Sequence, residues 1–139
     1  MLSVTAVFAG VLTLMFIRLS MHVIGLRRKN KVSLGDGGID DLDRAIRAHG
    51  NFAEYVPLGL VLMGCLELNG APLWWVAILG AMLVAGRHFH AKGIQEPPPN
   101  FTNRVKGMKL TFAALGLLAV INVVWIAYLA VDSYWIGLS

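Results

Sequence analysis

The longest apolar run of the chain, from Leu110 to Val131, is the feature that most restricts its fold. Only Thr111 and Asn122 interrupt this run with strongly polar side chains. A transmembrane helix requires about 20 predominantly apolar residues, so the run predicts a membrane-spanning helix. The composition agrees, because 57% of the residues are hydrophobic and only 14% are charged, which does not describe a soluble domain.

Three further apolar blocks extend this prediction to the whole chain. No segment alternates apolar and polar residues over about ten positions, which argues against a transmembrane barrel. No linker is long enough to divide the chain into two domains. We therefore predict an all-α integral membrane protein, a bundle of four transmembrane helices forming a single domain over residues 1–139. The predicted helices cover residues 3–26, 41–68, 72–91 and 102–131.

The positive charges of the chain are concentrated at one side of the predicted bundle. All twelve Lys and Arg residues lie near the first or third connection, or in the helix ends beside them. By the positive-inside rule these connections are cytoplasmic, which places both termini on the outer side. Anionic lipid of the inner leaflet is sufficient to explain the net charge of +4. We predict membrane lipids as partners and no nucleic-acid partner.

A row of polar residues lies in the predicted second helix. Arg44, Arg47, Asn51 and Glu54 follow one another by three, four and three positions. A helix therefore places them within one stripe roughly 80° wide. Ionised groups are costly in bilayer hydrocarbon, so such residues are candidates for a functional site by default. This row predicts that the protein binds a polar ligand from within the membrane.

Basic residues on the other helices reach a similar depth. Near this level the guanidinium groups outnumber the one membrane-embedded carboxylate, that of Glu54. Such an excess suits a ligand with several carboxylates or phosphates, because arginine binds these groups bidentately. The basic candidates are Arg18, Arg44, Arg47, Arg87, His90 and Arg104.

Metal and disulfide chemistry are not expected. The four histidines lack a close pair with a carboxylate on one helix face, so we predict no metal site. Cys65 is the single cysteine, which excludes an internal disulfide. It lies mid-helix among apolar residues, where we expect it to be buried.

Two other interpretations of the polar row remain open from the residues alone. In the first, Arg47 and Glu54 satisfy one another in a structural ion network that assembles the bundle and binds no ligand. In the second, Glu54 and the histidines relay ions or protons, as intramembrane carboxylates do in transporters. The chain shows no inverted repeat and no pair of broken helices, which argues against such a conduit.

The segment Arg47-Ala-His-Gly-Asn51-Phe-Ala-Glu54-Tyr55-Val-Pro57 resembles the helix-2 signature of the MAPEG family, the membrane-associated proteins in eicosanoid and glutathione metabolism. The family pattern is approximately Arg-x-x-x-Asn-x-x-Glu-x-x-Pro. A second match lies at the end of helix 3, where the family has an arginine and often a histidine three residues later. The resemblance covers nearly the whole chain. The Gly-Asp-Gly-Gly turn before helix 2 is most similar to small members from the bacterial inner membrane.

The resemblance implies a homotrimer that binds glutathione between neighbouring protomers near the cytoplasmic face. In a bacterial inner membrane, the topology predicted from the positive charges places both termini in the periplasm. Glutathione offers two carboxylates for arginines and one ammonium for a glutamate. In catalytic members an arginine near the start of helix 4 lowers the pKa of the bound thiol, and Arg104 is the nearest candidate here. The positions that match the family's glutathione contacts are Arg47, Asn51, Glu54, Tyr55 and Arg87, and the charge pattern adds Arg18, Arg44 and His90.

The activity that the resemblance implies is that of a glutathione transferase or peroxidase. Its second substrate would be a lipophilic electrophile or a lipid hydroperoxide that arrives through the bilayer. Two residues depart from the family pattern: Ile94 replaces a tyrosine common in the eukaryotic enzymes, and Gly50 replaces a basic residue of some members. Both departures remove polar contacts to the tripeptide. The alternative is a non-catalytic trimer that binds an anionic lipid or a thiol.

Overall fold

The computed structural model describes the backbone of residues 1–136 and the side chains of residues 1–134. Within this range the regular secondary structure consists of four helices and no strand, which confirms the predicted all-α class. Three helices, α1, α2 and α4, are long and apolar enough to cross a membrane. α3 is not among these three, so the fourth span stays a prediction. The helices are α1 (Ser3–Asn30), α2 (Asp40–Leu68), α3 (Leu73–Gln95) and α4 (Phe101–Ile136).

The helices extend beyond the apolar blocks that predicted them. α1 continues for four residues past its predicted end, through Arg27 and Arg28, and α3 likewise continues to Gln95. Basic side chains in the last turn of a helix interact favourably with its partial negative charge. The backbone N–H of Lys31, a residue in the left-handed conformation, donates to the carbonyls of the last turn and ends α1. Hydropathy does not detect such solvated final turns.

The connection between α1 and α2 is a glycine turn. Gly35, Gly37 and Gly38 have φ values of 68°, 60° and 72°, which side-chain-bearing residues rarely adopt. The carboxylate of Asp36 accepts a hydrogen bond of 3.0 Å from the backbone N–H of Gly38. This Asx-type bond stabilises the turn.

The four helices form a rhombus in cross-section. α2 and α3 each contact all three other helices, whereas α1 and α4 make no contact within the described range. α2 and α3 therefore occupy the short diagonal, and each has one side that no helix of the protomer covers. These two uncovered sides face in opposite directions. The core between the helices includes Leu12, Phe52, Met63, Leu83 and Leu118, all fully buried.

The N-terminus of α1 is held by a carboxylate from the end of α2. Glu67 accepts hydrogen bonds from the backbone N–H groups of Val4 (2.9 Å) and Thr5 (2.7 Å). The hydroxyls of Ser3 and Thr5 donate to the same carboxylate at 3.1 and 2.7 Å. α1 has neither a capping side chain of its own nor an acidic residue in its first turn. Glu67 thus performs across the bundle the function of an N-cap.

α3 and α4 approach one another closely through glycines. A Cβ atom added to Gly107 would lie 2.4 Å from the backbone nitrogen of His90, and one added to Gly93 would lie 2.7 Å from that of Arg104. No side chain fits at such distances, so the close approach requires glycine. The ring Nδ1 of His90 lies 3.0 Å from the carbonyl oxygen of Arg104. The contact therefore fixes His90 and Arg104 beside one another.

We expect Glu67→Ala to lower the free energy of unfolding by about 1.5 to 3 kcal/mol, because it removes hydrogen bonds to a charged acceptor. The measurement is thermal unfolding in detergent micelles. Asp132→Ala is the matched control, since Asp132 is an exposed carboxylate near the end of α4 and should leave the midpoint unchanged. A Glu67→Ala protein that melts with the wild type would contradict the capping role.

Candidate functional site

A cavity of about 930 Å³ lies between α2, α3 and the start of α4. It is at the end of the bundle where α1 and α3 finish and most of the basic residues lie, which we call the basic end. The cavity is lined by six of the residues that the sequence predicted for the site: Arg44, Arg47, Asn51, Glu54, His90 and Arg104.

Helix periodicity determines which side chains line each wall of the cavity. On α2 the polar row forms one side of a helix that runs without interruption from Asp40 to Leu68. The opposite wall comes from α3 and α4, whose glycine contact holds them together. Residues four positions apart share a helix face, so α3 presents His90 with Ile94, and α4 presents Arg104 with Met108.

Arg87 does not line the cavity but lies behind its wall. It is completely buried, and its Nη2 donates a hydrogen bond of 2.7 Å to the Oδ1 of Asn51. Its Cζ lies 5.4 Å from the ring centroid of Tyr55 and 5.8 Å from that of Phe52, which are cation–π distances. Its Nε has no partner among the described side chains. Arg87 and Tyr55 thus support the cavity wall from within the bundle.

The contact with Arg87 determines the orientation of Asn51. A guanidinium group has only hydrogen-bond donors, so the amide oxygen of Asn51 must face Arg87. The amide nitrogen then points away from Arg87. Asn51 lines the cavity, and its two N–H donors are therefore available to a ligand.

The arginines of the polar row pair along their own helix. Arg47 Nε lies 3.5 Å from Asp43 Oδ1, and Arg44 pairs with Asp41. Within residues 1–134 Glu54 has no ion pair or hydrogen bond. The structural network between Arg47 and Glu54 is therefore not formed in the protomer. Solvent-exposed pairs contribute roughly 0 to 1 kcal/mol, so a ligand can replace Asp43 as the partner of Arg47 at low cost.

Arg104 lies in the first turn of α4. The turn begins with an N-cap, since the backbone N–H of Asn103 donates to the Asn100 side chain at 3.0 Å. The Arg104 carbonyl can only accept, so the proton of the bond to His90 lies on the ring Nδ1. The Arg104 guanidinium has no ion-pair partner in the described part of the chain.

The balance of acidic and basic residues that line the cavity differs from the balance that the sequence predicted. Asp36 and Asp43 line it together with Glu54, so three carboxylates face three guanidinium groups. The expected excess of arginine over carboxylate is thus not present in the lining. Asp36 was not predicted as a site residue, because the glycine turn determines its position and helical periodicity does not describe a turn. The lining suits a ligand that carries charges of both signs.

Arg18, another predicted site residue, neither lines the cavity nor supports its wall. Its side chain lines a separate pocket between α1 and α3. Its position in the sequence predicts a depth similar to that of the polar row, but depth does not determine which side of the bundle a residue faces.

Comparison with known proteins identifies the chain's relatives. The model of the MAPEG family matches residues 5–124. The inner membrane protein YecN of Escherichia coli (strain K12) is 41% identical over 119 residues, which cover 86% of this chain and 89% of that protein. YecN of Escherichia coli O6:H1 gives the same values. Together with the three helices of membrane length, these relatives support an inner-membrane location. The predicted resemblance is confirmed, and the chain belongs to the MAPEG family.

Proposed function

We propose that the protein binds glutathione in the cavity at the basic end and transfers it to lipophilic electrophiles. The observation that carries the proposal is that Glu54 and Arg104, opposite in charge and without ion-pair partners in the described chain, line one cavity. Charged side chains without ion-pair partners, in a recess between membrane helices, indicate a ligand that supplies the opposite charges. The positive-inside rule places this end of the bundle in the cytoplasm.

The chemical groups of glutathione match those of the cavity. Its ammonium would bind Glu54, and one of its carboxylates would bind Arg47 in place of Asp43. Its peptide carbonyls would accept from the amide nitrogen of Asn51, which Arg87 orients toward the cavity. A cavity of about 930 Å³ falls within the range of about 300 to 1,000 Å³ typical of small-molecule sites.

Arg104 would activate the thiol of the bound tripeptide. A nearby guanidinium stabilises the thiolate, which is the nucleophilic form of the sulfur. The thiolate would attack an electrophilic carbon of the second substrate, and the leaving group would depart with the electron pair. Reduction of a lipid hydroperoxide would begin from the same thiolate.

We further propose that the protein is a homotrimer closed around α2, as the family resemblance implies. Beyond Glu54 the uncovered side of α2 carries Leu58, Val61, Cys65 and Leu68, spaced by three or four residues. Leu58, Val61 and Leu68 are 54%, 61% and 66% exposed, and Cys65, expected to be buried, is exposed as well. This heptad-like spacing favours a left-handed seam between helices of neighbouring copies. A seam here would bring a second subunit to the open side of the cavity.

Glutathione binding is tested by thermal unfolding in nanodiscs with and without millimolar glutathione. We expect the wild type to be stabilised by the tripeptide. Glu54→Gln should weaken binding by about 1.5 to 3 kcal/mol, the range for a charge-assisted hydrogen bond, and leave the unliganded protein nearly as stable. Glu96→Gln is the matched control, because Glu96 lies outside the cavity. An absent wild-type shift, or an unchanged shift in Glu54→Gln, would contradict the proposal.

Catalysis is tested by thiol-dependent turnover of a chlorodinitroarene. We expect Arg104→Ala to lower the turnover about tenfold or more, which corresponds to losing at least about 1.4 kcal/mol of transition-state stabilisation. Lys109→Ala is the control, since Lys109 is a basic residue of α4 outside the cavity. Wild-type protein that binds glutathione without turnover would favour the non-catalytic alternative, for which the apolar Ile94 in the cavity wall is the supporting observation.

The trimer is tested through the single cysteine of the chain. If α2 forms the seam, a short bis-maleimide should join Cys65 of two subunits into a covalent dimer. A lysine cross-linker should give a ladder that ends at three subunits. The control is Cys65→Ala combined with Ile78→Cys, because Ile78 is exposed on α3. Efficient coupling in that control, or none through Cys65, would exclude a seam along α2.

A further inference from the structure

A second pocket, of about 490 Å³, lies between α1 and α3 near the basic end. Its basic side chains are Arg18 from α1 and His88 and Lys92 from α3. Met15 and Leu19 contribute apolar surface to the same pocket. The pocket therefore combines basic side chains with apolar surface.

The charge of this pocket is incompletely neutralised. Lys92 Nζ lies 3.9 Å from the carboxylate of Glu96, which is also in the lining. Arg18 has no ion pair or hydrogen bond within residues 1–134. At 1.5 Å per residue, Arg18 lies about 14 Å further into the bundle than Arg27 near the end of α1. An unpaired arginine at such depth in a membrane helix requires an anionic partner or water.

The pocket and the glutathione cavity lie on opposite sides of the protomer. The pocket lies between α1 and α3, whereas the glutathione cavity and the exposed residues from Leu58 to Leu68 lie on the α2 side of the rhombus. Two helical turns deeper on the same faces, the exposed residues are apolar. These are Val11, seven residues before Arg18, and Ala81, seven residues before His88.

We propose that this pocket binds the phosphodiester headgroup of an anionic phospholipid. Arg18 and Lys92 bind the phosphate, and an acyl chain runs along the apolar surface of α1 and α3 toward Val11 and Ala81. Arginine binds phosphate oxygens bidentately, and basic pockets between membrane helices suit anionic headgroups. The site is separate from the glutathione cavity and does not depend on the proposed function.

The test is native mass spectrometry of the full chain, released from detergent after titration with phosphatidylglycerol or phosphatidylcholine. We expect phosphatidylglycerol to be retained preferentially, and Arg18→Gln to weaken its retention about tenfold, the scale of one charge-assisted hydrogen bond. Lys29→Gln makes the same change of charge at an exposed residue outside the pocket and should behave as the wild type.

Several results would overturn the proposal. These are equal retention of the two lipids, equal losses in Arg18→Gln and Lys29→Gln, and displacement of phosphatidylglycerol by millimolar inorganic phosphate. If Arg18→Gln fails to fold, Lys92→Gln provides the same comparison, because its exposed pair with Glu96 contributes little to stability. Retention unchanged in Lys92→Gln would then exclude the site.

Discussion

The close approach of α3 and α4 is the contact on which the cavity depends. Gly93 and Gly107 allow the two backbones to meet where no Cβ atom would fit. His90 and Arg104 consequently lie side by side and form the wall opposite the polar row of α2. A larger residue at either glycine would separate the helices and widen the cavity. The site is thus shaped by residues that have no functional group of their own.

Behind the opposite wall, Arg87 gives the polar row a defined orientation. Its guanidinium is buried against Phe52 and Tyr55 and donates to Asn51. Since arginine cannot accept a hydrogen bond, Asn51 has one possible amide orientation and presents donors to the cavity. Glu54, three residues later, supplies the acceptor. Donor and acceptor are therefore held in a fixed order along α2 before any ligand binds.

The sequence predicted the helices and the polar row because both depend on local periodicity. The sequence did not predict the features that depend on how whole helices are arranged relative to one another. Arg18 shares the depth of the polar row but faces another side of the bundle. Asp36 reaches the cavity through a glycine turn, and the pairing of Glu67 with Thr5 joins residues 62 positions apart. Neither hydropathy nor helical spacing carries this information.

The bond between Glu67 and the start of α1 also has a consequence for the order in which the bundle is made. The N-terminal N–H groups of α1 leave the ribosome early and find their acceptor only when the end of α2 has been synthesised. No residue of α3 is needed for this bond, because α3 begins at Leu73. In hydrocarbon, unsatisfied backbone groups are costly. α1 and α2 can therefore pack together as a hairpin before the other helices are inserted. α3 and α4 then pack against this hairpin.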